Sequence, residues 1–243
     1  MRKFFVLSYG VACYLVFLAV FLYMIGFVGD LSAPKTIDSG AGGSTLVSLV
    51  VDAILLALFA VHHSVTARTS FKRRLTRIIP APIERSTYVL ISSILLAILF
   101  GLWRAIPVVI WKTTNAIGIA TSWGIFCAGW FIVLSTTFMI DHFDLFGLRQ
   151  VYQYAKGRKY TPVEFKTPGL YRRIRHPIML GFLLAFWAAP TMTLGRLLFA
   201  ALMTAYVLIA LRYEERDLVG FYGERYEAYK RRAGLILPKI RRS

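Results

Sequence analysis

From Phe4 to Val28 the chain runs without one charged side chain. That exceeds the roughly 20 apolar residues a helix needs to cross the hydrocarbon core of a bilayer. Four similar runs and a shorter one follow: Thr45–His62 (interrupted only by Asp52), Ser86–Trp103, Ile117–Ile140, the short Ile178–Ala189, and Leu197–Leu211. The last two are separated only by Pro190–Arg196 and read as a tight helical hairpin, with Pro177 suited to the first turn of its leading helix. Lipid offers backbone N–H and C=O groups no partners, so such runs must be helical. The expected fold is an all-α polytopic membrane helical bundle of about six apolar helices, closing on a C-terminal hairpin.

Composition agrees and adds a direction. Of 243 residues 57% are hydrophobic, yet the net charge is +17, a combination that excludes disorder, a disulfide scaffold and an ordinary soluble enzyme. With six crossings the loops alternate sides, and 25 of the 29 Lys and Arg then fall on one side, leaving Lys35, Arg104, Lys112 and Arg196 on the other. The positive-inside rule makes the rich side cytoplasmic, with both termini there, as expected for a bacterial inner membrane protein. The charge therefore reads as topology and contact with anionic lipid of the bilayer, and no nucleic-acid partner is expected. Arg2-Lys3 before the first run suggest a signal peptide, but the run is too long for one and lacks a clean cleavage site, so it reads as a retained span. Cys13 and Cys127 lie in spans without metal spacing and read as packing residues; no metal site is expected.

Polar chemistry concentrates after Ile140, which divides the chain into a four-span region, 1–140, and a C-terminal core, 141–243. Thr167-Pro-Gly-Leu-Tyr-Arg-Arg-Ile-Arg-His-Pro-Ile-Met-Leu-Gly181 places a turn and a basic cluster before an apolar helix. The positive end of such a helix attracts anions, Arg175 offers a bidentate carboxylate partner, and Gly181 permits close approach of a ligand or another helix. Arg212-Tyr-Glu-Glu215 sets two acids at the end of the last run, where they need a positive partner from the protein or a ligand.

Arg-His-Pro-x-x-x-Gly, the hairpin, Glu-Glu and then Phe221-Tyr-Gly-Glu-Arg-Tyr-Glu-Ala-Tyr-Lys230 together resemble the integral-membrane methyltransferases, the broad family of isoprenylcysteine carboxyl and phospholipid N-methyltransferases. The resemblance covers Lys166 to Arg232 and implies S-adenosylmethionine as cofactor, held by cytoplasmic loops between the Arg-His-Pro helix and the Glu-Glu helix. It implies cofactor contacts from Lys166, Tyr171, Arg175, His176, Pro177, Ile178, Met179, Gly181, Glu214 and Glu215, with Val163–Lys166 contributing backbone. Relatives often carry Tyr where this chain has Met179, and prenylcysteine-binding members carry Arg where it has Ala210, which argues against a carboxylate substrate bound the same way. The segment Ile140–Gln150 resembles members acting on a small thiol, so methanethiol is the expected acceptor, with a prenylcysteine or phospholipid amine as alternatives.

A thiol reacts as its thiolate, so a base is wanted. His142 is the first candidate, oriented by Asp141 or Asp144, with Tyr171 as second base or proton relay. Arg149, Gln150 and Arg212 are candidates for the substrate side. The plainer reading of Asp141–Asp144 is a polar cap on a helix end. Asp52 and His63 share a helix face; a transporter would use them as a proton relay, but Asp52 more simply bonds a neighbouring Ser or Thr, and His62-His63 sit near the polar loops. A membrane reductase using NADPH is the competing enzyme class.

Overall fold

The computed structural model describes residues 1–31, 33–40 and 43–239; Arg241 and Arg242 of the basic tail lie outside them. In chain order the helices and strands are α1 (Arg2–Gly29), α2 (Thr45–Thr66), α3 (Thr69–Leu75), α4 (Glu84–Leu102), β1 (Val109–Lys112), α5 (Ala116–Ile140), α6 (His142–Leu145), α7 (Leu148–Ala155), α8 (Pro177–Trp187), β2 (Thr191–Thr193), α9 (Leu194–Tyr222) and α10 (Glu224–Arg232). Among the described residues, α1, α2, α4 with its leading 3-10 turn, α5 and α9 are long and apolar enough to cross a membrane. The polytopic helical bundle expected from the sequence is what forms.

Two compact units divide the chain. One holds Met1–Pro107 with Asp141–Glu164, the other Val108–Ile140 with Phe165–Ser243. The packing units therefore interleave in sequence and do not follow the functional division drawn at residue 140.

In the first unit α1 packs on α4 and α7. Gly10 makes room for α7: a Cβ there would lie 2.5 Å from Val151 Cγ2. Phe27, Phe100 and Trp103 form an aromatic cluster, and Trp103 Nε1 donates to the Ile37 carbonyl at 3.0 Å. Leu15, Leu22, Ile54 and Leu58 are exposed, as lipid-facing residues are. Asp52 is fully buried, but its partner is the backbone N–H of Arg104 at 2.9 Å, not a Ser or Thr side chain as expected. A backbone N–H just past the end of α4 lacks a helical partner, and the carboxylate supplies one. His63 turns to other groups, the Tyr88 hydroxyl at 2.9 Å and Ser92 Oγ at 3.2 Å.

In the second unit α5 and α8 cross at two glycines. A Cβ on Gly181 would lie 2.6 Å from the Gly129 carbonyl oxygen, and one on Gly129 equally close to the Gly181 carbonyl. Only glycine at both positions permits this approach. Helix α8 has 11 residues, about 16 Å of rise and roughly half the hydrocarbon thickness. The chain completes the path extended. Thr113 N donates to the Pro190 carbonyl at 2.8 Å, Leu194 N to the Val108 carbonyl at 2.7 Å, and β2 pairs antiparallel with β1. Gly181 thus sits opposite the middle of α5, and Pro190 beside the loop that leads into its start. Residues 177–187 are thus helix against α5, and the chain beyond them leads into residues 191–193, which pair with β1. Thr193 then caps α9, its hydroxyl accepting from Arg196 N at 3.2 Å.

Candidate active site

Glu215 is the hub of the polar cluster in the second unit. Its Oε1 accepts from Arg175 Nε at 2.9 Å, from the Tyr226 hydroxyl at 2.7 Å and from His176 Nε2 at 2.9 Å. A carboxylate oxygen only accepts, so Nε2 of His176 carries the proton. Arg175 Nη1 also donates to the carbonyls of Ala233 (2.7 Å) and Lys230 (3.1 Å). The tail after α10 folds back beside these residues: Arg175 N donates to the Gly234 carbonyl, His176 N to that of Leu235, and Gly234 N returns to Arg173. Tyr229 donates to the Tyr171 and Ile174 carbonyls.

Adjacent residues of a helix point about 100° apart, and the acidic pair divides accordingly. The Glu215 side chain is 11% exposed; that of Glu214 is 49% exposed, with Oε2 3.7 Å from His176 Nδ1. Glu214 is the exposed acid of the pair, whereas Glu215 holds the cluster together.

The other expected site residues of this unit sort by the same geometry. Tyr171, His176 and Pro177 are buried, Ile178 and Met179 half-buried in the first turn of α8, Lys166 and Arg212 more open. Gly181 serves the contact with α5. Arg175 is committed to Glu215 and the tail carbonyls. The start of α8 is less open to an anion than its sequence suggests: Arg175 and His176 N–H groups go to the tail, and those of Met179 and Leu180 to the His176 carbonyl. Burial pushes the Tyr171 hydroxyl far above the ordinary phenol value, with Glu214 adding to the shift. Tyr226 is raised too, by burial first and then by Glu215, and burial carries Tyr229 to about 12. These phenols remain hydrogen-bond donors near neutral pH, which favours Tyr171 as donor over Tyr171 as base.

The first unit carries the cluster after Ile140. Asp141 caps α6, accepting from Asp144 N at 2.9 Å, and pairs with Arg149 at 3.2 Å. Asp144 Oδ1 accepts from the Tyr160 hydroxyl at 3.0 Å and lies 3.6 Å from Arg149, while Gln150 donates to the Asp144 carbonyl at 3.2 Å. His142 is 5% exposed, packs edge-on against Phe146, and has Nε2 2.8 Å from the Tyr14 hydroxyl. The hydrogen bond at Nε2 thus comes from α1, whereas the aspartates expected to orient the ring gather Arg149, Gln150 and Tyr160. Burial lowers the His142 pKa, with Asp141 opposing, so the ring is neutral at pH 7. Burial also raises Asp144, and it raises Tyr160 to about 12, with Asp144 adding.

Tyr226 and Tyr229 stand within the motif Phe221–Lys230, and their spacing puts them on one helix face, yet the sequence alone assigns them no role. Tyr14 and Gly129 carry no local signal, because each lies in an apolar run far in sequence from its partner.

Fold and site define an integral membrane protein with a polar acid–histidine–arginine cluster where its last apolar hairpin meets the C-terminal tail. The sequence matches the NnrU protein family over residues 53–236. It is 50% identical to the methanethiol S-methyltransferase of Mycobacterium tuberculosis over 98% of each chain. It is 48% identical to that of Crocosphaera subtropica, over 97% of this chain and 92% of the relative. At greater distance it is 32% identical to nurim of Rattus norvegicus, over 72% of this chain and 70% of the relative. No solved structure matches. The chain belongs to the NnrU family, among relatives that include the methanethiol S-methyltransferases.

Proposed function

We propose that this chain methylates methanethiol to dimethyl sulfide with S-adenosylmethionine as donor. The observation that carries the reading is the 50% identity, over 98% of both chains, to a protein named methanethiol S-methyltransferase. The donor, when bound, supplies a methyl group on a positively charged sulfur. The residues fit such a cationic, amine-bearing molecule: Glu214 is a half-exposed carboxylate beside His176 and, among the described residues, has no other cation within salt-bridge distance. Glu214 binds the amino or ribose groups; Glu215 and Arg175 hold His176 and the start of α8 in place. Tyr171, Pro177, Ile178 and Met179 line the same site and Lys166 approaches it from the preceding loop. On the acceptor side His142 takes the thiol proton; Arg149 and Gln150 in the first unit, and separately Arg212 in the second, are the substrate candidates. Both termini face the cytoplasm of a bacterial inner membrane, a topology supported by the segregation of basic residues once the short helix of residues 177–187 is read with the strand after it as a sixth crossing.

Purified protein given methanethiol and S-adenosylmethionine is expected to release dimethyl sulfide into the headspace. Methylation of a lipid extract without that product would move the acceptor to a phospholipid amine, and calorimetric binding of NADPH but not S-adenosylhomocysteine would overturn the methyltransferase reading. Glu214→Ala is expected to weaken S-adenosylhomocysteine roughly 10- to 100-fold, the loss of one charge-assisted contact, without changing the melting temperature. Unchanged affinity would remove Glu214 from the site.

A further inference from the structure

The pairing of Tyr14 with His142 determines how a proton reaches the histidine. Tyr14 belongs to α1, a span, where an unpartnered hydroxyl is costly. Among the described residues, Nε2 of His142 is the acceptor within reach, at 2.8 Å. Tyr14 therefore donates, Nε2 presents its lone pair to the hydroxyl, and the proton of the neutral ring resides on Nδ1. The ring is walled by Tyr14, Phe143 and Phe146, with centroids 5.8, 5.5 and 4.8 Å away. Asp141 acts on it electrostatically, and Arg149 holds that carboxylate at 3.2 Å.

A neutral imidazole has one basic lone pair, and here it is taken by a phenol. We propose that Tyr14 is the proton relay of the thiol site: its hydroxyl, not the imidazole, meets the substrate. The S–H bond breaks as its proton passes to Tyr14 Oη, and the Tyr14 proton passes to His142 Nε2. A thiolate and an imidazolium result, the imidazolium donating back to Oη, and the extra proton leaves to water after the product departs. The inference rests on the reading of His142 as base and adds the residue through which it works.

The pH profile of kcat/KM for methanethiol tests it. Tyr14→Phe removes one oxygen and keeps the ring. It is expected to lower kcat/KM at least 30-fold at pH 7, with the deficit shrinking as pH approaches the thiol's own pKa, where solvent ionises the substrate. His142→Ala should show the same convergence, and the double variant should be no slower than the slower single, because both residues serve one transfer. S-adenosylhomocysteine affinity should be unchanged in all three. A Tyr14→Phe deficit equal at every pH, or one that multiplies with that of His142→Ala, would reduce Tyr14 to packing and overturn the relay. Wild-type turnover in Tyr14→Phe with a crippled His142→Ala would also overturn it. Wild-type turnover in His142→Ala would overturn the base assignment on which the relay rests. Dimethyl sulfide formation by the wild type, measured in the same assay, stands apart from both.

Discussion

Glu215→Ala is expected to abolish S-adenosylhomocysteine binding and to destabilise the protein, not merely to weaken a contact. Three donors converge on Glu215 Oε1: the Arg175 guanidinium, the His176 ring and the Tyr226 hydroxyl. Removing the acceptor strands a buried guanidinium, a loss of about 3–5 kcal/mol when one partner of a buried pair is deleted. The tail is bound through the same groups, since Arg175 reaches the carbonyls of Lys230 and Ala233. Thermal unfolding in detergent should therefore start earlier, and limited proteolysis should cut the tail after α10. Glu215→Gln keeps an oxygen acceptor and should retain part of the fold but little affinity. If Glu215→Ala melts like wild type, the hub does not hold the tail. The contrast with neighbouring Glu214→Ala, which should lose affinity and keep its melting temperature, separates positioning from ligand contact.

Gly181→Leu is expected to remove folded protein from the membrane. The first atoms its side chain meets are the Gly129 carbonyl oxygen at 2.6 Å, Val133 Cγ2 at 2.8 Å and Val133 N at 2.9 Å. Two of the three are backbone, so relief requires α5 and α8 to separate. Overpacking in a well-filled core costs roughly 1–3 kcal/mol even where side chains yield, and here few do. Gly181→Ala should be the milder version. Gly124 also lies on α5, and a Cβ there would meet nothing within 4 Å. Gly124→Leu is therefore the matched control and should extract as a monodisperse protein in wild-type yield. Equal yields of Gly181→Leu and Gly124→Leu would show that the glycine crossing is dispensable.

Much of the fold is legible in the sequence because membrane helices announce themselves by length. The run Phe4–Val28 lies within two residues of the bounds of α1 at either end. Leu197–Leu211 falls short of its helix: α9 continues to Tyr222, because it leaves the apolar region and keeps its hydrogen bonds in water, which hydropathy does not register. The half-helical course of residues 177–193 is only partly visible. Pro190 marks the end of a helix, but pairing with Val109–Lys112 joins segments far apart in the chain and leaves no local trace. The site shows the same split. Arg175, His176 and Glu215 are legible as motif residues. That Glu215 faces inward and Glu214 outward depends on the rotation of α9, which two adjacent identical residues cannot disclose. For the orienting partner of His142, proximity in sequence points to the nearby aspartates; Tyr14, 128 positions earlier, lies outside any such guide.

The dependence of the α8 start on the tail has a consequence for biosynthesis. Tyr226, Gly234 and Leu235 leave the ribosome only after α9, yet they complete the surroundings of Arg175, His176 and Glu215. The spans can enter the bilayer during translation, one after another, while the acid–histidine–arginine cluster waits for the segment that follows α9. Until then the nascent protein sits in the membrane with a carboxylate and a guanidinium still wet that the finished fold buries. Messenger truncation after α9 would leave an inserted but ligand-blind chain, so synthesis of the segment beyond α9, more than insertion, decides how much of the membrane-resident population can work.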